Sequence, residues 1–444
     1  MRWSTAKMAD HSPPAPAGLT SLWRLVGRVG RPLLWGLLAV RTARGKEDRT
    51  RRGERFGKPS RPRPEGPLVW VHAASVGELT AVLPLVEEIV ARGIATVVTT
   101  GTVTSARVAA ERLPAGAVHQ FVPLDVAPYL SRFLDAWRPA AALFVESEVW
   151  PVALAETAKR GIPRIVVNAR LSARSFRRWK KLPATAAAMF GSVDLVLAQS
   201  AEDGERFARL GAAMVEVTGN LKFDGAPPPA DAAERAAFDG ALSGRPRWVA
   251  ASTHPGEDEV VIAAHRILSA ERPGLLTLLV PRHPDRGGRI AETIARGGLS
   301  VALRSRGEPI RADTAIYVAD TIGELGLFYR LAPIAFVGGS LTARGGQNPI
   351  EPARLGAAVI AGPHVANFAG IYGDLATADA LVTITEASGL AAAVGALLDD
   401  PADATARAAA ANAVADRHAG ALARTLDRLA PLLEEIARGG DRPA

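Results

Sequence analysis

From residue 68 onward the chain repeats one pattern, a short apolar run followed by a longer stretch with a helical apolar period. The runs are LVWVHAA (68–74), ATVVTTG (95–101), VHQFVP (118–123), AALFVES (141–147), RIVVNAR (164–170), DLVLAQS (194–200) and MVEVTGN (214–220). They are rich in aliphatic residues and close on small or polar ones. That pattern predicts parallel strands covered on both faces by crossover helices. It stops at FDGAPPPADAAERAAFDGALSGRPR (223–247), where three consecutive prolines and the lack of an apolar strand predict a linker. A second series follows: WVAAST (248–253), LLTLLVP (275–281), LSVALRS (299–305), TAIYVAD (314–320), PIAFVGGS (333–340), AAVIAGP (357–363) and ALVTIT (380–385). The end, 386–438, is rich in Ala, Leu and Arg and reads as helical. The expected organisation is an α/β chain with a domain at 67–224, a linker at 225–247 and a second domain at 248–444 that includes the terminal helices. Two such halves imply a cleft between them, with ligands outside the strand carboxyl ends.

The first 66 residues break the pattern in another way. They hold 15 Lys/Arg against 5 Asp/Glu, a net +10, although the whole chain carries only +8. The body is therefore slightly acidic, and the basic charge belongs to the arm. Within it, 19–40 is apolar but interrupted, with Arg24, Arg28 and Arg31 on one helical face and Leu22, Trp23, Leu25, Val26 and Val29 around them. Three arginines in that stretch argue against a spanning helix, and no small-residue cleavage site follows. The arm is read as a hydrophobic anchor lying in a membrane interface, with Trp23 and Trp35 at headgroup level. A helix packed on the body and a single span remain open. Basic charge confined to an arm speaks for an anionic membrane surface and against nucleic acid, which calls for basic charge over a binding face.

At 444 residues the chain exceeds one ordinary core, and 48% apolar with 22% charged residues is a globular composition. No cysteine is present, which excludes disulfides and thiolate metal sites.

The chemically informative residues cluster where the runs end. In the second series, LVPRHPDR (279–286) places Pro281, Arg282 and His283 at a strand end, where an arginine can fork onto phosphate or simply face solvent. ADTIGELG (319–326) ends a strand at Asp320 and Thr321 and opens a helix around Ile322, Gly323, Glu324 and Leu325. Its free N–H groups suit a phosphate or a base edge, and an ordinary helix cap uses the same residues. FVGGSLTARGGQNPIEPA (336–353) is glycine-rich and carries Asn348, Pro349, Ile350 and Glu351. Its glycines would let backbone approach a ligand, and Glu351 could accept both ribose hydroxyls or merely complement the helix dipole. No dinucleotide or ATP glycine motif occurs, and no D-x-D or histidine cluster suggests a metal.

In the first series three carboxylates stand at strand ends: Glu78 in WVHAASVGE (70–78), and Glu146 and Glu148 in VESEVWP (145–151). Ser75 and Glu78 have the spacing of a capping box, so Glu78 is either a cap or a general base for a hydroxyl. Glu146 and Glu148 are open to pairing with the arginines of NARLSARS (168–175). Lys222 in GNLKFD (219–224) can supply positive charge.

Taken in order, WVHAASVGE, ESEVWP, NARLSARS, GNLKFD, LVPRHPDR, DTIGEL, GGQNPIEP and GPHVANF (362–368) resemble the bacterial Kdo transferases. These enzymes move 3-deoxy-D-manno-octulosonic acid (Kdo) from CMP-Kdo onto a lipid A precursor. The resemblance runs from GKEDRTRRGERFG (45–57) to the last helices. It implies a GT-B glycosyltransferase with two Rossmann-like domains and an N-terminal membrane-anchor helix at the cytoplasmic face of the bacterial inner membrane. It also implies an inverting, metal-independent reaction without a cofactor. Glu78 is then the catalytic base, and Glu146, Glu148 and Lys222 are acceptor-side or supporting groups. The CMP contacts are Pro281, Arg282, His283, Ile322 to Leu325 and Asn348 to Glu351. Gln347 departs from the histidine common before this asparagine, and Val149 from a commoner leucine; neither change removes a charged group. Two other readings compete: another nucleotide-sugar enzyme of the same fold, such as an N-acetylglucosaminyl transferase or a UDP-sugar epimerase, and a membrane-bound binding protein without catalysis.

Overall fold

In the computed structural model, which describes residues 31–224, 228, 230–242 and 244–439, each of the apolar runs forms a strand. In the first unit these are β1 (Leu68–His72), β2 (Ala95–Thr100), β3 (Ala117–Phe121), β4 (Ala141–Val145), β5 (Arg164–Ala169), β6 (Leu195–Ala198) and β7 (Val215–Val217). They pair in parallel in the order β3-β2-β1-β4-β5-β6-β7. A parallel sheet must bury both faces, and β1 shows how the sequence does it. Leu68 and Trp70 enter one layer with Phe133 and Phe144, and Val69 and Val71 enter the other with Leu79 and Val82 of the helix Val76–Ala91.

The second unit repeats the scheme with β8 (Arg247–Thr253), β9 (Leu276–Pro281), β10 (Val301–Leu303), β11 (Ile316–Val318), β12 (Ile334–Val337), β13 (Ala358–Ala361) and β14 (Leu381–Thr383). Its order is β10-β11-β9-β8-β12-β13-β14, again parallel throughout. Trp248 and Ala250 face a layer with Val261 and Leu268, while Val249 and Ala251 face Phe328 and Tyr329.

Three boundaries differ from the sequence reading. The units comprise residues 1–225 with 419–444, and 226–418, so the chain returns to its first unit at the end. The last helix, Ala421–Arg438, was expected in the second domain. Its apolar stripe of Leu429, Leu432, Leu433 and Ile436 instead packs in the layer that holds Val69 and Leu79. Asp224 fixes its start by accepting the Gly420 N–H at 2.6 Å. Next, the expected linker contains a helix, Ala232–Ala241, capped by Asp231, which accepts the Glu234 N–H at 2.8 Å. Leu242 behind it is buried in the second core, so this part of the expected linker is helical and packed.

The third difference concerns the basic arm. Residues 47–57 do not stand apart from the body. Glu54 is fully buried and accepts the Phe121 N–H at 2.6 Å and Arg51 at 2.8 Å. Arg55 is paired with Glu47 at 2.9 Å and donates to the Gly101 carbonyl at 2.8 Å. Gly57 is required here: its φ is +74° and a Cβ would lie 2.0 Å from the Tyr129 carbonyl oxygen. The helix Arg31–Ala43 precedes this anchorage, whereas the rest of the expected anchor, 19–30, lies outside the described residues. Among the described residues no helix is long and apolar enough to cross a membrane.

Candidate active site

The first unit gathers its predicted residues at the carboxyl edge of its sheet. β1 ends at His72, two small residues follow, and Ser75 caps the helix that carries Glu78. The capping box forms, with one change of partner. Ser75 Oγ accepts the Glu78 N–H at 3.3 Å and donates to Glu78 Oε1 at 2.8 Å, while Glu78 Oε2 accepts the N–H of Ala74 at 2.8 Å. The carboxylate is thus held at a fixed place beside the strand end, as a cap and as a positioned group together. Burial raises its pKa, the bonds from Ser75 and Ala74 oppose that, and the charges of Glu148 and Glu146 add to the rise. A carboxyl group so poised is a better proton acceptor than an ordinary surface glutamate.

β4 delivers the other two carboxylates. Glu146 has a left-handed backbone, φ +56°, which is rare for a residue with a Cβ and aims the turn after the strand. Its Oε1 pairs with Lys222 Nζ at 2.7 Å. Glu148 Oε2 accepts the indole N–H of Trp150 at 2.8 Å and lies 3.8 Å from His72 Nε2. Burial would raise the Glu148 pKa, but His72 and Trp150 outweigh it and hold the group below the usual range. The arginines of NARLSARS are not partners of these carboxylates. Glu78 and Glu148 thus act on one another's surroundings with their proton affinities pushed apart, Glu78 up and Glu148 down, an arrangement suited to giving two carboxylates different roles.

The second unit also brings part of its predicted set together. Pro281 is the buried last residue of β9, and the exposed Arg282 and His283 follow it. Arg282 makes no ion pair among the described residues, whereas the nearby Arg286 is buried, paired with Asp258, and donates to the Thr253 carbonyl at 3.1 Å. One arginine of PRHPDR is structural and the other is free. Asn348 donates to Glu351 Oε1 at 3.2 Å and accepts the Ile350 N–H at 3.1 Å, and the buried Ile350 and Pro349 start the short helix Ile350–Arg354. Burial raises the Glu351 pKa, with the Asn348 bond and the Arg282 charge acting against it, so Arg282 and Glu351 lie within electrostatic reach.

The 322–325 stretch has its own supports. Ile322 is 87% exposed, and Gly323 has a φ of +91°. Leu325 begins a seven-residue helix, and the Glu324 carboxylate is engaged by Arg304 and Thr321. Arg304 also reaches Glu234 at 2.6 Å. The Glu324 side chain is therefore committed internally, which leaves the backbone and Ile322 as the exposed features of this turn.

The glycine-rich loop works differently from its sequence reading. Its glycines were expected to admit a ligand. A Cβ at Gly338 would lie 2.5 Å from the Ser252 carbonyl oxygen, and one at Gly345 would lie 2.6 Å from Asn367 Nδ2. These glycines let chain pack on chain. The loop N–H groups are likewise taken: the fully buried Glu257 accepts those of Gly339, Ser340 and Leu341 at 2.7, 2.9 and 2.9 Å, and of His254 at 2.9 Å. Glu257, His72 and Trp150 are functional-site neighbours that were not among the residues expected from the sequence. A capping pattern in THPGED and the positions of His72 and Trp150 in quoted motifs were the available signals.

Over residues 50–225 the chain matches the family model described as 3-deoxy-D-manno-octulosonic-acid transferase (kdotransferase). It is 36% identical over 408 residues to the 3-deoxy-D-manno-octulosonic acid transferase of Haemophilus influenzae, covering 90% of this chain and 94% of that protein. The Bordetella pertussis protein of the same name is 39% identical over 412 residues, covering 90% and 96%. A solved glycosyltransferase structure from Rickettsia africae aligns with a TM-score of 0.57 at 12% identity, over 85% of this chain and 100% of that one. That likeness speaks for the GT-B-like fold alone. The two relatives, each matched over nine-tenths of this chain, decide the rest: the chain belongs to the 3-deoxy-D-manno-octulosonic acid transferase family.

Proposed function

We propose that the chain transfers Kdo from CMP-Kdo onto a lipid A precursor in lipopolysaccharide biosynthesis, inverting the anomeric centre and using no metal. The observation that carries this reading is Glu78, a carboxyl group of raised proton affinity fixed at a strand end beside an anion of lowered affinity. In the reaction an acceptor hydroxyl gives its proton to Glu78 as its oxygen bonds to the anomeric carbon. The bond from that carbon to CMP breaks, and its electron pair leaves with the phosphate. Arg282, without an ion pair among the described residues, balances that phosphate charge together with backbone dipoles, in place of a metal. Glu351 and Asn348 take the ribose, with Ile322 to Leu325 against the base. Glu146 with Lys222, and Glu148, serve the acceptor side.

The arm completes the proposal. Its basic, interrupted apolar stretch at 19–40 holds the enzyme at the anionic cytoplasmic face of the inner membrane, where a lipid acceptor resides.

Glu78→Gln tests the reading. Transfer should fall about a hundred- to ten-thousandfold, and CMP should still protect the protein against heating while UDP does not. Near-normal transfer by this variant would remove Glu78 from the base role. Deletion of 1–44 should release the protein from anionic vesicles, and unchanged vesicle binding would sink the anchor.

A further inference from the structure

His72 is 1% exposed, and among the described residues its buried Nε2 has no hydrogen-bond partner. Unpaired buried polar atoms are costly and uncommon, so this one calls for a reason. Its surroundings narrow where its hydrogens lie. Thr99 Oγ1 accepts the Trp70 indole N–H at 2.8 Å, and its own hydrogen can go to His72 Nδ1 at 3.0 Å. In that arrangement the ring hydrogen is on Nε2. If the ring is doubly protonated, Nδ1–H goes to the Thr99 carbonyl at 3.2 Å and Nε2 again carries a hydrogen. The remaining form, with a bare Nε2, would point a lone pair at a carboxylate.

That carboxylate is Glu148, whose Oε2 is 3.8 Å from Nε2. The Trp150 ring stands edge-on to the imidazole, with centroids 5.1 Å apart, and its N–H already grips the same oxygen. The gap exceeds a hydrogen bond, but a small turn of the Glu148 side chain closes it. Asp125 is the other acidic group whose interaction with His72 is felt here.

We infer that His72 is a positioning residue acting through Glu148: its Nε2–H takes Oε2 when the acceptor sugar engages Oε1, and so fixes the anion beside Glu78. The inference rests on the acceptor-side reading of Glu148.

The test uses three substitutions in the full chain, read as transfer rates from CMP-Kdo to a lipid A precursor. In His72→Gln the amide N–H can take the place of Nε2–H, whereas in His72→Asn it reaches only the Nδ1 position. The glutamine variant should stay within about threefold of the parent, and the asparagine and leucine variants should lose about ten- to a hundredfold in kcat. Protection by CMP, whose proposed contacts lie in the other unit, should be unchanged in all three. In a Glu148→Gln background the leucine substitution should cost much less than it does alone, because the two changes break one interaction. Equal losses for the asparagine and glutamine variants, or fully additive losses with Glu148→Gln, would overturn the inference. Full activity of Glu148→Gln by itself would instead overturn the reading on which it rests. If the leucine variant fails to fold, the asparagine–glutamine contrast still decides.

Discussion

At the carboxyl edge of the first sheet, three carboxylates lie close enough to shape one another's behaviour, each held by one or two local contacts. At the same edge of the second sheet, the fully buried carboxylate of Glu257 is wrapped in backbone N–H groups, and Arg282 is left without an ion pair among the described residues. Both edges top a seven-stranded parallel sheet. What differs is where the protein spends its hydrogen bonds. The first edge uses them to hold carboxylate side chains, the second to hold a loop. A proton acceptor must stand at a fixed distance from the hydroxyl it serves, whereas a phosphate site needs an available cation on a stable frame.

Breaking the frame should have the largest effect. Glu257→Ala removes the acceptor for four N–H groups in the interior of the second unit. A buried donor left unpaired costs about 1–3 kcal/mol, and some of the four would recover water or a new partner, so a net loss of about 4 kcal/mol is expected. Denaturant unfolding measures it. The contrast between the edges is sharpened by the conservative change, since Glu257→Gln should fold, be less stable than the parent, and bind CMP more weakly. A glutamine variant with unchanged stability and CMP affinity would mean that the loop needs no anion.

The free cation comes next. Arg282→Ala should raise the KM for CMP-Kdo about ten- to a hundredfold, the loss expected for a charge-assisted contact to phosphate. Its effect on stability should stay within about 0.5 kcal/mol, because the exposed side chain holds nothing else in place. Arg286→Ala should do the reverse, lowering stability by leaving the buried Asp258 without its cation. If the two substitutions behaved alike, the division of labour within PRHPDR would be wrong.

How far these distinctions could be read in the sequence depends on their range. The strands were legible because a strand buried on both faces leaves an uninterrupted apolar run, and the Glu78 capping box was legible because both partners lie within one turn. The last helix was legible as a helix, but its apolar stripe carries no mark of which sheet it covers. The 232–241 helix was hidden behind prolines 227–229, although Asp231 and Glu234 carried a cap signature. Glu257 was beyond reach for a plainer reason. Its partners at 339–341 lie more than eighty residues away, and their N–H groups have no side-chain signature. The same holds for His72, whose meaning comes from Thr99 and Glu148 on the two neighbouring strands and their ends.

The smallest expected effect separates positioning from reactivity within the first edge. Asp125 accepts the N–H groups of Val152 and Ala153 at 3.1 and 2.9 Å and so caps the helix that follows Trp150. Burial pushes its pKa up to about 6, against the pull of those two bonds and of His72. The folded protein thus holds this proton more tightly than the unfolded chain, where aspartate titrates near 3.8. The sign follows from linkage: the stability that Asp125 contributes is full below the unfolded value and is lost as pH rises through about 6. A rise of that size sets a ceiling of about 3 kcal/mol, and solvent at the partly exposed group lowers it to about 1 kcal/mol. Asp125→Asn removes the titration, so the stability difference between parent and variant should change by about that amount between pH 4 and 7, in favour of the variant at the higher pH. Thermal unfolding across that range measures it. A constant difference would mean that Asp125 stays ionised in the fold, and that burial at this edge is weaker than its contacts imply.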